Sequence, residues 1–228
     1  MNKKSPSAFT LIELLVVIAI IAVLASFAVP AITSALTKGQ LVGTVNNARQ
    51  YYLAGYQMAL DGNTNADTNY QWPGDYNPAI TSLEVYSSKL VTNQYLKTGD
   101  LAKLLSGPGA IVGATSTTDA NGVTTVTLTG TPGLKVYEIK DGDSGNTIFA
   151  VSANYTYNTA LPAATSPFGD KGFVVMRKGG DALSLRKNNA LAANYPNAAA
   201  FQSAVGKLTG DADGTLGTEG AASFLAFP

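Results

Sequence analysis

The run 9–32 (FTLIELLVVIAIIAVLASFAVPAI) constrains this chain more than any other stretch, because only Thr10, Glu13, Ser26 and Pro30 interrupt its apolar character. At about 1.5 Å per residue, a helix of about 24 residues crosses a hydrocarbon layer of about 30 Å. Lys3 and Lys4 precede it. The positive-inside tendency then puts the N-terminus in the cytoplasm and everything after residue 32 on the other side of the membrane. Glu13 is the anomaly. A carboxylate inside a bilayer helix is costly, so it is read as a residue with a partner and a purpose.

A secretory signal is cut after its apolar run, at a small-x-small site. Residues 25–28 (ASFA) offer one, but the apolar run continues beyond it. A better junction lies before the run, where Ala8 meets Phe9-Thr10-Leu11-Ile12-Glu13. This N-terminus, over residues 5–30, resembles the type IV pilin and type II secretion pseudopilin family. The resemblance implies a membrane peptidase that removes the basic leader between Ala8 and Phe9 and methylates the new Phe9 amine. It implies an α+β, pilin-like fold, with a long N-terminal helix whose second half packs on a small antiparallel sheet. Glu13 matches the family's near-invariant acid and Pro30 a helix-kinking proline, while Ala8 stands where the family usually carries Gly. The implied partners are the prepilin peptidase/methyltransferase, further copies of this chain and related pilins in a filament, an inner-membrane assembly platform, and membrane lipid.

The chemistry of Glu13 leads the same way. Once cleaved, Phe9 carries a cationic amine, and methylation keeps that charge. In a stack of such helices, Glu13 of one subunit meets Phe9 of the next, and two charges that are costly alone become a pair. Before assembly, Glu13 has an alternative use as a cap on its own helix start. Pro30 lacks an N–H and crowds the preceding turn, so the helix is expected to loosen over 25–29. Ala22 and Ser26 form a small-xxx-small pair permitting close helix contact.

Beyond residue 32 the pattern turns amphipathic. Ile32, Leu36, Leu41, Val45, Ala48, Tyr52, Tyr56 and Leu60 recur at mostly three- and four-residue steps, predicting a stem helix over 33–60 that Asp61-Gly62-Asn63 terminates. Gly39 and Gly43 would allow another segment to approach closely. The predicted organisation is a leader over 1–8, an assembly helix over 9–32, the stem over 33–60 and a head over 61–228. Within the head, 61–78 reads as a turn-rich loop and 82–105 as one or two short helices. Strands are predicted at 123–129, 134–139, 147–157 and 172–177, forming one antiparallel meander that covers the stem. A helix is expected at 198–208, with Leu225, Phe227 and Pro228 tucked onto the head.

Composition narrows the function. With no Cys and no His, thiol chemistry, disulfides, thiolate metal sites and the commonest general base are all missing. The disulfide loop common in adhesive pilins is missing too, which favours the secretion or minor-pilin side. Fifteen basic residues balance 15 acidic ones, so no nucleic-acid partner is predicted. The acids cluster in turns rather than converging in a cleft, and no enzyme is predicted. Two clusters place oxygens at alternate positions around Gly: 141–146 (DGDSGN) and Asp211-Ala212-Asp213-Gly214-Thr215 with Glu219. No cofactor is required, but related pseudopilins use a C-terminal calcium loop, which makes Asp211, Asp213 and Glu219 candidate calcium ligands. Asn154-Tyr155-Thr156 matches a glycosylation sequon inside a predicted strand. The leading reading is a structural filament subunit; the alternative is a minor pilin-like module that displays its head for binding or adhesion.

Overall fold

The computed structural model describes residues 9–228, so the leader and Ala8 lie outside the described residues. The chain divides into two units, 1–39 and 40–228. In the first unit, helix α1 (Leu11–Asn65) begins, and every residue from 9 to 36 is exposed in the isolated chain. Its most apolar stretch has a mean hydropathy of 2.9, long and apolar enough to cross a membrane. The helix runs unbroken through Pro30. The Thr33 hydroxyl donates to the carbonyls of Val29 (3.1 Å) and Pro30 (3.0 Å), and the Ser26 hydroxyl to that of Val23 (2.7 Å). Gly39 and Gly43 have open space around them.

In the second unit α1 continues to Asn65, past the predicted stop at 61–63. The helix instead ends at Ala66, which takes the left-handed conformation (φ 52°), and the Asp67 N–H donates back to the Gly62 carbonyl at 2.9 Å. This is a Schellman closure with alanine where glycine is usual. The buried face of α1 is also rotated from the predicted stripe. Leu41, Ala48 and Tyr52 are buried as expected, but Tyr56 and Leu60 are 45% and 49% exposed. Tyr51, Gly55, Met58, Ala59 and Gly62 take the inward positions instead. Small residues are there because partners come close: a Cβ at Gly55 would stand 2.5 Å from the Tyr86 hydroxyl and 3.2 Å from the Trp72 ring.

Helices α2 (Leu83–Thr92) and α3 (Thr98–Leu105) follow, as predicted. Six strands come next: β1 (Val112–Thr118), β2 (Thr124–Gly130), β3 (Leu134–Val136), β4 (Ile148–Ser152), β5 (Phe173–Arg177) and β6 (Ala182–Leu185). A single meander was expected; the strands form two antiparallel sheets, a β1–β2 hairpin and a four-stranded sheet in the order β3-β4-β5-β6. The predicted 134–139 and 147–157 strands shorten to β3 and β4, while β1, rich in Gly, Ser, Thr and Ala, and the four-residue β6 had no strand signal. Helix α4 (Ala198–Ala204) stops short of its predicted end.

The central strands β4 and β5 are buried almost throughout, which explains their continuous rather than alternating apolar character. On one side Phe149 stacks with Tyr51 (6.1 Å between centroids) and meets Tyr52 edge-on at 5.4 Å. Elsewhere in the sheet Phe173 stacks with Tyr155 at 4.0 Å. The 61–78 segment is not a free loop. Trp72 is 2% exposed and packs on Tyr52, Tyr56 and Phe149 at 5.8–6.4 Å. The outer edge of β2 is closed by polar side chains of α2: the N–H groups of Thr124, Val126 and Leu128 donate to Thr92 Oγ1 (2.9 Å), Ser88 Oγ (2.8 Å) and Glu84 Oε1 (2.6 Å). One row of α2 thereby caps an edge that would otherwise invite foreign strands. At the C-terminus Leu225 is buried, and its N–H donates to Val136 O at 2.7 Å.

Four phenols, those of Tyr51, Tyr86, Tyr137 and Tyr155, are fully buried. Burial pushes all four above the ordinary tyrosine value, and for Tyr137 the Glu219 carboxylate adds to the rise. Unfolded tyrosines ionise near pH 10, so above that pH the folded chain binds more protons than the unfolded chain. The stability contributed by these phenols is full below about pH 10 and falls as pH rises further. An alkaline titration is therefore expected to release these phenolates in one cooperative step together with exposure of Trp72. Independent ionisation of all tyrosines near pH 10, with Trp72 still buried, would contradict it.

Candidate functional site

The start of α1 is built as a capping box. Thr10 precedes the helix, and Glu13 sits three residues on. Glu13 Oε2 accepts from the Thr10 N–H and the Thr10 hydroxyl, both at 2.8 Å, while the Glu13 N–H donates to Thr10 Oγ1 at 3.3 Å. Thr-x-x-Glu is the sequence form of this reciprocal cap. In the isolated chain, then, the carboxylate is occupied by its own helix terminus, which is the alternative use the sequence offered. Phe9 lies beside it, 79% exposed, at the head of the 9–36 stretch of α1, whose side chains are all exposed among the described residues. Pro30 is on the same exposed helix. This segment presents a large apolar surface, with one carboxylate near its end, to whatever surrounds it.

The C-terminal acids are arranged differently. Calcium requires about six to eight oxygens converging at about 2.3–2.6 Å. Asp211, Asp213 and Glu219 do not converge, and among the described residues no three acidic side chains group in a way that could hold a metal ion. Each is already matched to a protein donor. Glu219, 3% exposed, forms an ion pair with Lys135 and also accepts from the Tyr137 hydroxyl (2.8 Å) and the Tyr157 N–H (2.7 Å). Asp213 pairs with Lys207 at 2.8 Å, and Asp211 accepts from the Gly217 N–H at 3.0 Å. The centre of the loop is filled by the Gln202 amide, which donates to the carbonyls of Ala212 (3.1 Å) and Thr215 (2.8 Å) and accepts from the Gly214 N–H (2.7 Å). The residues present do not fit calcium; an ammonium and an amide stand where a cation would have to sit. Burial pushes Lys135 below its ordinary value, and the contact with Glu219 opposes that shift.

The 141–146 turn follows the same logic, with the Lys178 ammonium donating to the carbonyls of Asp141 and Asp143. Sequence reasoning missed Lys135, Lys178 and Gln202, since none is adjacent in the chain to the acidic loop it meets. Asn154 of the sequon is buried, its amide nitrogen held by Gly169 O (2.8 Å) and Gly172 O (2.9 Å), and is not presented to a modifying enzyme.

Comparison with known proteins bears on the N-terminal segment alone. Residues 3–29 match the family model described as the prokaryotic N-terminal methylation motif. No curated protein and no solved structure matches the chain. The matched stretch contains the Ala8-Phe9 junction, Thr10 and Glu13, and ends one residue before Pro30. In proteins of that family the motif implies processing by a prepilin peptidase and assembly into filaments. Residues 3–29 thus carry the prepilin-type cleavage and methylation segment found in type IV pilins and pseudopilins.

Proposed function

We propose that this chain is a structural subunit of a type II secretion pseudopilus or a type IV pilus. It is inserted in the bacterial inner membrane with its N-terminus in the cytoplasm, cleaved after Ala8 and methylated on Phe9. It then polymerises through its N-terminal helix. The observation that carries this reading is the pairing of a wholly exposed apolar first half of α1 with a carboxylate one turn from the new terminus. The bilayer shelters the apolar side chains in the stored precursor, and neighbouring helices do so in the filament. On cleavage a cation appears at Phe9, and Glu13 can exchange its Thr10 cap for a neighbour's amine.

The capping box makes a sharp test possible, because Gln serves at the third helical position as well as Glu does. Glu13→Gln keeps the cap and removes the charge, whereas Glu13→Ala removes both. Both variants are expected to insert and to be cleaved, and both to lower filament yield at least about tenfold, each tenfold being about 1.4 kcal/mol of lost subunit affinity. Filaments from Glu13→Gln at parental yield would show that only the cap matters. Mass spectrometry of the mature chain is expected to find methylated Phe9 at its start; an intact Met1 would overturn the processing step.

A further inference from the structure

A groove of about 450 Å³ lies in the 40–228 unit, between the turn that follows α1, the outer side of α2 and the start of β2. We propose that it is a binding site for a neutral saccharide. The volume is that of a small-ligand site. The walls are braced. Tyr70 stands perpendicular to Tyr95 at 6.3 Å, and the Tyr76 hydroxyl donates to Asn69 O (2.7 Å) while accepting the Gln71 N–H (3.2 Å). Lys89 lies 5.5 Å from the Tyr76 ring centroid. On the α2 wall, Ser88 and Thr92 are already used in closing the edge of β2.

What remains uncommitted defines the ligand. Among the described residues, the Tyr70 hydroxyl, the Asn93 side-chain amide, the Thr125 hydroxyl and the Lys89 ammonium make no hydrogen bond within the chain. Asp67 uses only Oδ1, which accepts from the N–H and side chain of Asn69 (both 2.9 Å), leaving Oδ2 without a partner. The groove therefore offers donors and acceptors together, and its one cation is balanced by its one anion, so it selects for a ligand without net charge. Val85 and Val123, 49% and 51% exposed, add apolar surface to the same lining. A sugar ring matches this set, since its hydroxyls both donate and accept while its C–H faces seek apolar and aromatic surface. An anionic peptide would leave Asp67 opposed to like charge.

The test uses the full chain, monomeric in a detergent without a sugar headgroup, so its outcome is independent of filament assembly. Saturation-transfer NMR is run with cellotetraose, chitotetraose and maltotetraose as probes, and with an oligoglutamate and an uncharged peptide as comparisons. At least one oligosaccharide is expected to bind. Asn93→Ala and Thr125→Val remove side chains that make no internal hydrogen bond and leave the fold intact. Each is expected to weaken that binding about fivefold, as loss of a single hydrogen bond does. No transfer from any of the three sugars, equal binding by both variants, or preference for either peptide would overturn the proposal.

Discussion

A Gly62→Ala chain is expected to lose about 3 kcal/mol of head stability, near the upper end of what overpacking costs. Helix propensity alone gives the opposite sign, because alanine is favoured over glycine in a helix interior by about 1 kcal/mol. Space decides against it. A Cβ on Gly62 would stand 1.7 Å from the Tyr70 carbonyl oxygen, 2.8 Å from its carbon and 3.1 Å from the Asp67 carbonyl oxygen. These are backbone atoms, which cannot swing aside as a side chain can. The turn after α1 must lift, and Trp72, two residues beyond Tyr70, is drawn from its stack on Tyr52. As Trp72 is the only tryptophan, its fluorescence reports the change directly. Gly43→Ala is the control. Nothing lies within 4 Å of the added carbon, so it is expected to stabilise the same head by about 0.5–1 kcal/mol. If thermal unfolding finds Gly62→Ala as stable as the parent, the close approach of Tyr70 is wrong.

The second large effect is at Glu219. Replacing it by Gln leaves the Lys135 ammonium, 14% exposed, facing an uncharged amide, and breaking a buried pair from one side costs about 3–5 kcal/mol. The Tyr137 hydroxyl and Tyr157 N–H lose their charged acceptor in the same change. Replacing both members of the pair by methionine is expected to recover only part of the loss, because those two donors still lack an acceptor. A Glu219→Gln chain within about 0.5 kcal/mol of the parent would remove the pair from its structural role. The parent is expected to unfold at the same temperature with calcium or with chelator. A calcium-dependent rise would return Asp211, Asp213 and Glu219 to metal binding.

The N-terminal segment was legible because its signals are local. An apolar run and a carboxylate one turn in are read directly along the chain; the Thr10–Glu13 capping box went unread, although it too is a pattern of neighbours. The α+β class, helices α2 and α3, and strands β2 and β5 followed from periodicity and branched residues. The stem was read with the right length scale and, at Leu41, Ala48 and Tyr52, the right face, but apolar counting ranked Tyr56 and Leu60 above Gly55 and Gly62. Glycine carries no hydrophobic signal; its place in the core exists only because Tyr86, Trp72 and the Tyr70 carbonyl come close to it.

The acidic clusters show the same division. Spacing of Asp211, Asp213 and Glu219 suggested a metal loop, as it would in any chain with those residues. Which cation meets them depends on Lys135, 84 residues from Glu219, and on how Gln202 enters the loop. β1 and β6 likewise became strands through their partners, not their composition. What the sequence by itself determined is the N-terminal segment, its apolar helix and its methylation motif, because both are written in contiguous residues. What only the tertiary structure decided is the head: its buried face, its two sheets, the partners of its C-terminal acids and its groove, all set by contacts between residues far apart in the chain.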